Sequence, residues 1–226
     1  MKVEITQTLT NSPLFKGIEK NNIEKLLTTI EHQIKEYKKG ELIAIEDDNC
    51  EELGIILSGN IQIQKSYPSG KVVVLDILDQ GDIFGEIIVF SKEHRFPATI
   101  LSITDSIILL LSKTGIKQLC KENEFFLENF LQSLTGKILM LNRKVKILSY
   151  KTIKEKIADL LMEEYKHQNT LVLTLPYDRK ELADLLGIPR PSLSRELSIM
   201  KEEGLIDYYK NTVKILQLND LRELII

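Results

Sequence analysis

The chain has 226 residues, which is enough for two modest domains that each bury a hydrophobic core. Its formal net charge is −3 at pH 7, so any affinity for nucleic acid must come from a local basic patch. Cys50 and Cys120 are the only cysteines and form no Cys-x-x-Cys pair, which argues against a disulfide framework or a zinc site. The chain shows neither a signal-peptide pattern nor a long apolar run, so we expect a soluble, cytoplasmic protein without a membrane partner.

The first half of the chain predicts β structure after a helix at residues 21–31. Short β-prone runs alternate there with turn signals such as Ser58-Gly59-Asn60 and Pro68-Ser69-Gly70. Strands are predicted at residues 42–45, 53–57, 61–64, 71–78, 83–86, 99–103 and 106–111. Many short strands joined by glycine-containing turns indicate a β-roll or jelly roll, and a β-sandwich without a ligand remains the alternative.

A long helix is predicted between the two halves of the chain. Apolar residues recur there at seven-residue intervals, in two series offset by four residues. The predicted d positions are Leu127, Leu134, Leu141 and Leu148, and the predicted a positions are Leu131, Ile138 and Val145. Such a stripe is also found where a helix packs on its own domain. The strict period, with leucine at d and a β-branched bias at a, favours a parallel coiled-coil dimer along this helix.

Residues 179–197 predict two short helices joined by a turn at Gly187, because glycine accepts the positive φ that such a turn needs. Their predicted apolar face consists of Leu182, Leu185, Leu186, Leu193 and Leu197. The residues predicted to face outward from the second helix are Arg190, Ser192, Ser194 and Arg195. Arginine presents five donors in a rigid fork that suits guanine edges and phosphates, so the pattern predicts DNA binding. A helical hairpin that touches no nucleic acid remains the alternative.

The segments that flank these helices favour DNA binding. Residues 170–175 alternate as a strand that stops at Pro176. Residues 206–216 contain two β-prone runs around Lys210-Asn211, which predicts a hairpin with a basic tip. A strand, two helices and a basic hairpin are together typical of a winged helix-turn-helix domain.

The chain resembles the Crp/Fnr superfamily of bacterial transcription regulators. Members of that family have a β-roll, a long dimerisation helix and a winged helix-turn-helix in this order. The resemblance extends from Ser12 to Leu221 and is most specific at residues 81–86, 96–99 and 190–196. It implies an α+β protein with a cyclic-nucleotide-binding-like β-roll at residues 1–122, a dimerisation helix at 123–150 and a DNA-binding domain at 151–226. It further implies a homodimeric regulator that binds double-stranded operator DNA and RNA polymerase. An unidentified small-molecule effector in the β-roll would control DNA binding.

The resemblance implies roles for individual residues of the DNA-binding domain. Arg190 and Arg195 match arginines that read base edges and phosphates, and Ser192 matches a small hydroxyl residue at the helix start. Arg179 matches a phosphate-contacting residue at the opening of the first helix, where free N–H groups also favour an anion. Pro191 stands where cyclic-AMP-type members carry a base-reading glutamate, so the operator is expected to differ at that base pair.

The implied effector pocket comprises Gly85, Glu86, Arg95, Leu141 and Asn142. Glu86 matches the residue that holds the nucleotide ribose in cyclic-nucleotide-binding members. Those members also carry an Arg-Ser pair for the phosphate, whereas Arg95 is followed here by Phe96-Pro97. Leu141-Asn142 replaces the Thr-Ser pair that meets the adenine. A buried phosphate without its donors is strongly unfavourable, so these departures argue against cyclic AMP.

Other effectors are weighed in the same way. An iron–sulfur cluster needs about four cysteines per chain, and the chain has two. Haem remains open as a cofactor, with axial-ligand candidates at His32, His94, His167, Met140 and the two cysteines. A thiol switch at Cys120 also remains open. The sequence contains no P-loop, dinucleotide fingerprint, metalloprotease motif or nucleophile elbow, so we predict that the protein is not an enzyme.

Overall fold

The computed structural model describes residues 2–225, so Met1 and Ile226, the outer ends of the predicted first and last domains, lie outside it. The chain forms two compact units, which divide between Lys137 and Ile138. This division falls inside one long helix, Glu124–Ser149, where the sequence predicts the dimerisation helix. The first unit contains a β-roll and the second contains a winged helix-turn-helix, so the predicted α+β fold is confirmed.

The β-roll of the first unit consists of two antiparallel sheets. Its strands are β1 (His32–Tyr37), β2 (Leu42–Ala44), β3 (Glu52–Ser58), β4 (Ile61–Ser66), β5 (Val72–Leu78), β6 (Ile83–Phe84), β7 (Thr99–Ser102) and β8 (Ser106–Ser112). One sheet has the order β1-β8-β3-β6 and the other has the order β2-β7-β4-β5. The helices of this unit are α1 (Lys2–Asn11), a 3-10 turn (Pro13–Phe15), α2 (Lys20–Thr29), α3 (Lys113–Glu122) and the beginning of α4 (Glu124–Ser149).

Strands β3 and β8 are buried on both faces because they lie between two hydrophobic layers. Successive side chains of a strand point to opposite faces, so alternate residues enter different clusters. On one face, Leu53 and Leu109 pack with helix residues that include Phe15 and Phe126. On the other face, Ile56, Ile108 and Leu110 join the cluster between the two sheets, together with Ile61 and Phe84. The inter-sheet layer is where a ligand cavity can form in a β-roll.

The second unit is built around one hydrophobic cluster. Its elements are α5 (Ile153–Gln168), β9 (Val172–Thr174), α6 (Arg179–Leu186), α7 (Arg190–Glu202), β10 (Ile206–Tyr209), β11 (Thr212–Ile215) and α8 (Leu218–Glu223), with the sheet order β10-β11-β9. Leu182, Leu186, Leu193 and Leu197 pack in this cluster as the sequence predicts. Leu185, also predicted on the apolar face, is partly buried and packs against the edge of this cluster.

Several boundaries differ from the sequence-based expectation for local reasons. The predicted helix at 21–31 ends at Thr29, because the chain is already extended at Ile30. The predicted strand at 83–86 ends at Phe84, because Gly85 adopts a φ of +79°. A Cβ at Gly85 would lie 2.9 Å from the carbonyl oxygen of Glu52, so this turn requires glycine. The predicted strand at 170–175 contracts to Val172–Thr174.

Candidate nucleic-acid interface and effector cavity

Helix α6 begins with a capping box that orients Arg179. The Asp178 side chain accepts hydrogen bonds from the backbone N–H groups of Lys180 and Glu181, and the Glu181 side chain accepts from the N–H of Asp178. The hydrogen bonds that the Asp178 carboxylate accepts, first from the Glu181 N–H and then from the Lys180 N–H, hold the pKa of Asp178 below its ordinary value. The cap satisfies donors that would otherwise lack partners at the start of a helix, so the first turn and Arg179 are held in place.

Helix α7 presents the predicted recognition residues on its outer face. The turn before it is closed by Gly187, whose φ of +63° is left-handed. Pro191 lies in the first turn of α7, where its missing N–H has no helical partner. Arg190, Ser194 and Arg195 are exposed and Ser192 is half-buried. The structure thus brings four of the predicted DNA-contacting residues to one end of one helix.

The hairpin formed by β10 and β11 is the wing of this domain. Lys210 lies at its tip with a φ of +50°, and its Nζ is 5.5 Å from the centroid of the Tyr209 ring. Arg179 donates from Nη2 to the carbonyl oxygen of Lys210 over 3.4 Å. The predicted residues Arg179 and Lys210, which are 31 positions apart in the sequence, therefore lie together beside the wing.

The predicted dimer seam is an exposed apolar stripe along α4. The exposed fraction rises from 37% at Leu127 to 77% at Leu148. Between them, Leu131, Ile138, Leu141 and Val145 are each more than half exposed. Leu134 differs from the other six, because it packs partly against the core of the first unit. A continuous apolar stripe of this kind in a single chain indicates an interaction surface.

Gly85 and Glu86 line a cavity of 210 Å³ between the sheets of the β-roll. Most of its lining is apolar and comes from Ile63, Leu78, Ile83, Phe84, Ile87, Ile88, Phe96, Pro97, Ala98 and Ile100. Its charged groups are Asp76, Glu86 and Lys137. Glu86 is 2% exposed, and Lys137 of α4 donates a hydrogen bond from its ammonium group to Glu86 Oε1. This ion pair connects the turn after β6 to the long helix.

The structure does not bring Arg95 to this cavity. Arg95 donates from Nη1 to the carbonyl oxygen of Asp47 over 2.6 Å. It lines a separate polar cleft, whose carboxylates belong to Glu31, Glu51, Glu52 and Glu93. Leu141 and Asn142, the other predicted pocket residues, are exposed on the part of α4 that belongs to the second unit. Of the five predicted pocket residues, Gly85 and Glu86 line the cavity.

Among the candidate thiol and haem ligands, Cys50 and His94 line the same polar cleft as Arg95. Burial raises the pKa of Cys50 to about 11, and burial also raises the pKa of Cys120 above its ordinary value. Both shifts disfavour the reactive thiolate. The His32 ring contacts the carbonyl oxygen of Ile30, with 3.2 Å between Nδ1 and O. Within residues 2–225, no three His, Cys, Asp or Glu side chains cluster in a metal-binding arrangement, and no helix is long and apolar enough to cross a membrane.

Two functional candidates escaped the sequence analysis. Lys137 is a g position of the predicted heptad and looks like an ordinary solvated lysine until the fold places it on Glu86. Tyr208 of β10 lies beneath Arg179, and its hydroxyl is 3.3 Å from Ser198 Oγ of α7. The only sequence signal for this residue is the aromatic pair Tyr208-Tyr209 next to a basic turn.

Comparison with known proteins agrees with this architecture. A cyclic nucleotide-binding domain model matches residues 34–123, and a Crp-like helix-turn-helix domain model matches residues 155–224. The chain is 22% identical to the cyclic AMP receptor protein of Thermus thermophilus, over 94% of this chain and 96% of that protein. It is 22% identical to a CRP-like cAMP-activated global transcriptional regulator of Mycobacterium tuberculosis, over 88% and 90% of the two chains.

The fold is similar to the crystal structure of the Thermus thermophilus catabolite activator protein. The TM-score is 0.56 at 23% identity, covering 95% of this chain and 98% of that one. A β-roll with a cyclic nucleotide-binding fold and a Crp-like helix-turn-helix define a DNA-binding transcription regulator. The chain belongs to the Crp/Fnr family.

Proposed function

We propose that this regulator acts as a homodimer, joined in parallel through α4, that binds operator DNA with α7 of each protomer. Occupancy of the cavity beside Glu86 would control the affinity for DNA. The single observation that carries the proposal is the exposed apolar stripe from Leu127 to Leu148. Full burial of a leucine or isoleucine side chain contributes about 1.5–3 kcal/mol, so a second copy of the stripe would stabilise the pair substantially.

The residue types along the stripe support a parallel two-stranded arrangement. Leucine occupies every d position, while Ile138 and Val145 occupy two of the three a positions. This combination favours two parallel strands over larger assemblies. In a parallel dimer two recognition helices read half-sites about 34 Å apart, one turn of DNA.

The recognition surface of each protomer consists of two parts. Arg190, Ser192, Ser194 and Arg195 would enter the major groove, and Arg179 and Lys210 would contact phosphates beside it. Arginine pairs bidentately with guanine, whereas Pro191 has no donor or acceptor for a base edge. We therefore infer an operator that contains guanines in each half-site and differs from the cyclic-AMP-type sequence opposite Pro191.

The remaining elements of the proposal follow from the family. As a regulator of transcription the dimer would act in the cytoplasm, contact RNA polymerase and carry out no catalysis. The domains predicted at residues 1–122, 123–150 and 151–226 would serve as effector sensor, dimer seam and DNA-binding domain. The effector is inferred to differ from cyclic AMP, because Arg95 bonds to Asp47 and contributes no donor to the cavity. The raised thiol pKa values of Cys50 and Cys120 disfavour a thiol sensor.

Selection of binding sites from a pool of random double-stranded DNA tests this function. We expect the purified protein to enrich an inverted repeat whose half-sites are separated by about one helical turn, 10–10.5 base pairs centre to centre. Double substitution Arg190→Ala and Arg195→Ala provides the matched control and should enrich no motif. Enrichment of a single half-site, or of no sequence by the unaltered protein, would contradict the proposal.

A further inference from the structure

The two members of the ion pair in the β-roll cavity differ in their access to water. Glu86 is 2% exposed, whereas the Lys137 side chain is 37% exposed. A buried carboxylate without a partner is strongly unfavourable, so Glu86 requires a cation or donors in any stable state. Lys137 can turn its ammonium group into water on a flexible four-carbon stem at little energetic cost. Lys137 is therefore the exchangeable partner of this pair.

The rest of the cavity restricts the size and polarity of a ligand. Its volume is 210 Å³ and its lining is mainly aliphatic and aromatic. An apolar cavity of about 150 Å³ accommodates benzene, so this one matches a single ring with a short substituent. Leu78, Phe84, Phe96 and Ile100 are among the walls that such a ring would contact.

The charges that line the cavity determine the sign of the ligand's polar group. Glu86 is the buried charge of the lining and Lys137 is its partner, whereas the third charged group, Asp76, is exposed to solvent. An anionic ligand would have to attract Lys137 away from Glu86 and leave that buried carboxylate unpaired. A cationic ligand replaces Lys137 on Glu86 and releases it to solvent, which keeps every buried charge paired.

We propose that the cavity binds a small, mainly apolar primary amine, whose ammonium group takes the place of Lys137 on Glu86. This inference rests on the proposed function, because it names the effector class of the same cavity. Binding exchanges a contact between α4 and the turn after β6 for a contact between that turn and the ligand. The ligand therefore interacts differently with two arrangements of α4, which is the requirement for control of a distant site.

Calorimetry on the whole 226-residue chain tests the proposal with defined probes. Phenethylamine represents the proposed class, phenylacetate is its anionic counterpart of similar size, and cyclic AMP represents the family's nucleotide ligands. We expect phenethylamine to bind at least about tenfold more tightly than phenylacetate, a difference of about 1.4 kcal/mol. Equal or tighter binding of phenylacetate, or no binding of the amine, would overturn the proposal.

Substitutions of Lys137 and Glu86 provide a second test of the proposed ligand exchange. Lys137→Met removes the competing ammonium and should tighten phenethylamine binding by about tenfold, whereas Glu86→Gln should abolish the preference for the amine. Lys144→Met, on an exposed position of the same helix, should leave the affinity unchanged. If Lys137→Met does not fold, Lys137→Gln can replace it. The glutamine amide is a weaker, uncharged donor to Glu86, so this variant should also bind phenethylamine more tightly than the unaltered protein. Unchanged amine affinity in a folded Lys137 variant would contradict the exchange.

These measurements are independent of DNA. A dimer that selects an inverted repeat but fails to bind phenethylamine would overturn the ligand class alone and leave the proposed function standing. Loss of motif selection by the unaltered protein would overturn the proposed function, whatever the cavity binds.

Discussion

The guanidinium of Arg179 lies over the ring of Tyr208, with 4.8 Å between Cζ and the ring centroid. Lys201 Nζ of α7 is 5.4 Å from the same ring centroid, and the Tyr208 hydroxyl is 3.3 Å from Ser198 Oγ. Burial lowers the pKa of Arg179 below its ordinary value, although the group stays charged at neutral pH. One aromatic ring of the wing thus contacts the start of α6 and the C-terminal half of α7.

This arrangement predicts that Tyr208 positions the DNA-binding surface without needing to touch DNA. Tyr208→Ala removes the ring under Arg179 and should weaken operator binding by about 1–2 kcal/mol, the range of a partly desolvated cation–π contact. Tyr208→Phe keeps the ring, so it should weaken operator binding much less than Tyr208→Ala does. Fluorescence anisotropy with the selected operator at fixed salt measures both variants. Equal effects of the two substitutions would show that the hydroxyl, not the ring, is responsible.

Arg195 is predicted to read the operator directly. It is exposed on the outer face of α7, away from Leu193 and Leu197, so its removal does not disturb the core. Arg195→Ala should weaken operator binding by about 1–3 kcal/mol and relax the base preference at one position, while the dimer stays intact. Arg195→Lys keeps the charge but loses the bidentate fork, so it should recover only non-specific affinity. An unchanged dissociation constant for Arg195→Ala at fixed salt would remove this role.

Elements whose deciding interactions are local can be predicted from the sequence. The turn at Gly187 and the helical spacing of Leu193 and Leu197 identify the helix-turn-helix, because capping and amphipathicity are set by neighbouring residues. Strand β1 was not predicted, because His32–Tyr37 carries only Ile34 and Tyr37 as β-prone residues. The strand is defined by its pairing with β8. Lys137 and Tyr208 acquire their roles from partners far away in sequence. Such contacts leave no periodic signal.

Cyclic AMP is predicted not to switch this protein. The cavity beside Glu86 holds 210 Å³, and Arg95, the residue aligned with a phosphate clamp, donates to Asp47 in a different cleft. A cyclic phosphate would therefore be buried without its donors. Titration calorimetry should show no saturable heat, and the affinity for the operator should be the same with and without the nucleotide. Micromolar binding together with a gain in operator affinity would restore cyclic AMP as the effector.

Deprotonation of the Cys50 thiol is predicted to lower the stability of the folded protein at alkaline pH. Its folded-state pKa of about 11 lies above the ordinary value of 9.0, so the folded protein holds the thiol proton to higher pH than the unfolded chain. The resulting stabilisation is complete below the unfolded pKa and is lost as the pH rises toward about 11. Urea unfolding from about pH 8 to about pH 10 should show a steeper loss for the unaltered protein than for Cys50→Ala. Parallel pH profiles would contradict this.

Light scattering after gel filtration shows whether the a and d positions of α4 join two protomers, on which the proposed mode of DNA binding depends. Ile138→Lys with Val145→Lys places charges on the proposed seam at residues that are exposed in the single chain, so folding should survive. Leu134 is unsuitable, because it packs against the first unit. Leu139→Lys is the matched control, since Leu139 is equally exposed but lies at a b position.

We expect the unaltered protein and Leu139→Lys to be dimers, and the double variant to be a monomer with native circular dichroism. Each protomer has a mass of 26.0 kDa, so the two states are readily distinguished. A double variant that remains a dimer, or a Leu139→Lys variant that dissociates, would place the interface on another face and contradict the account.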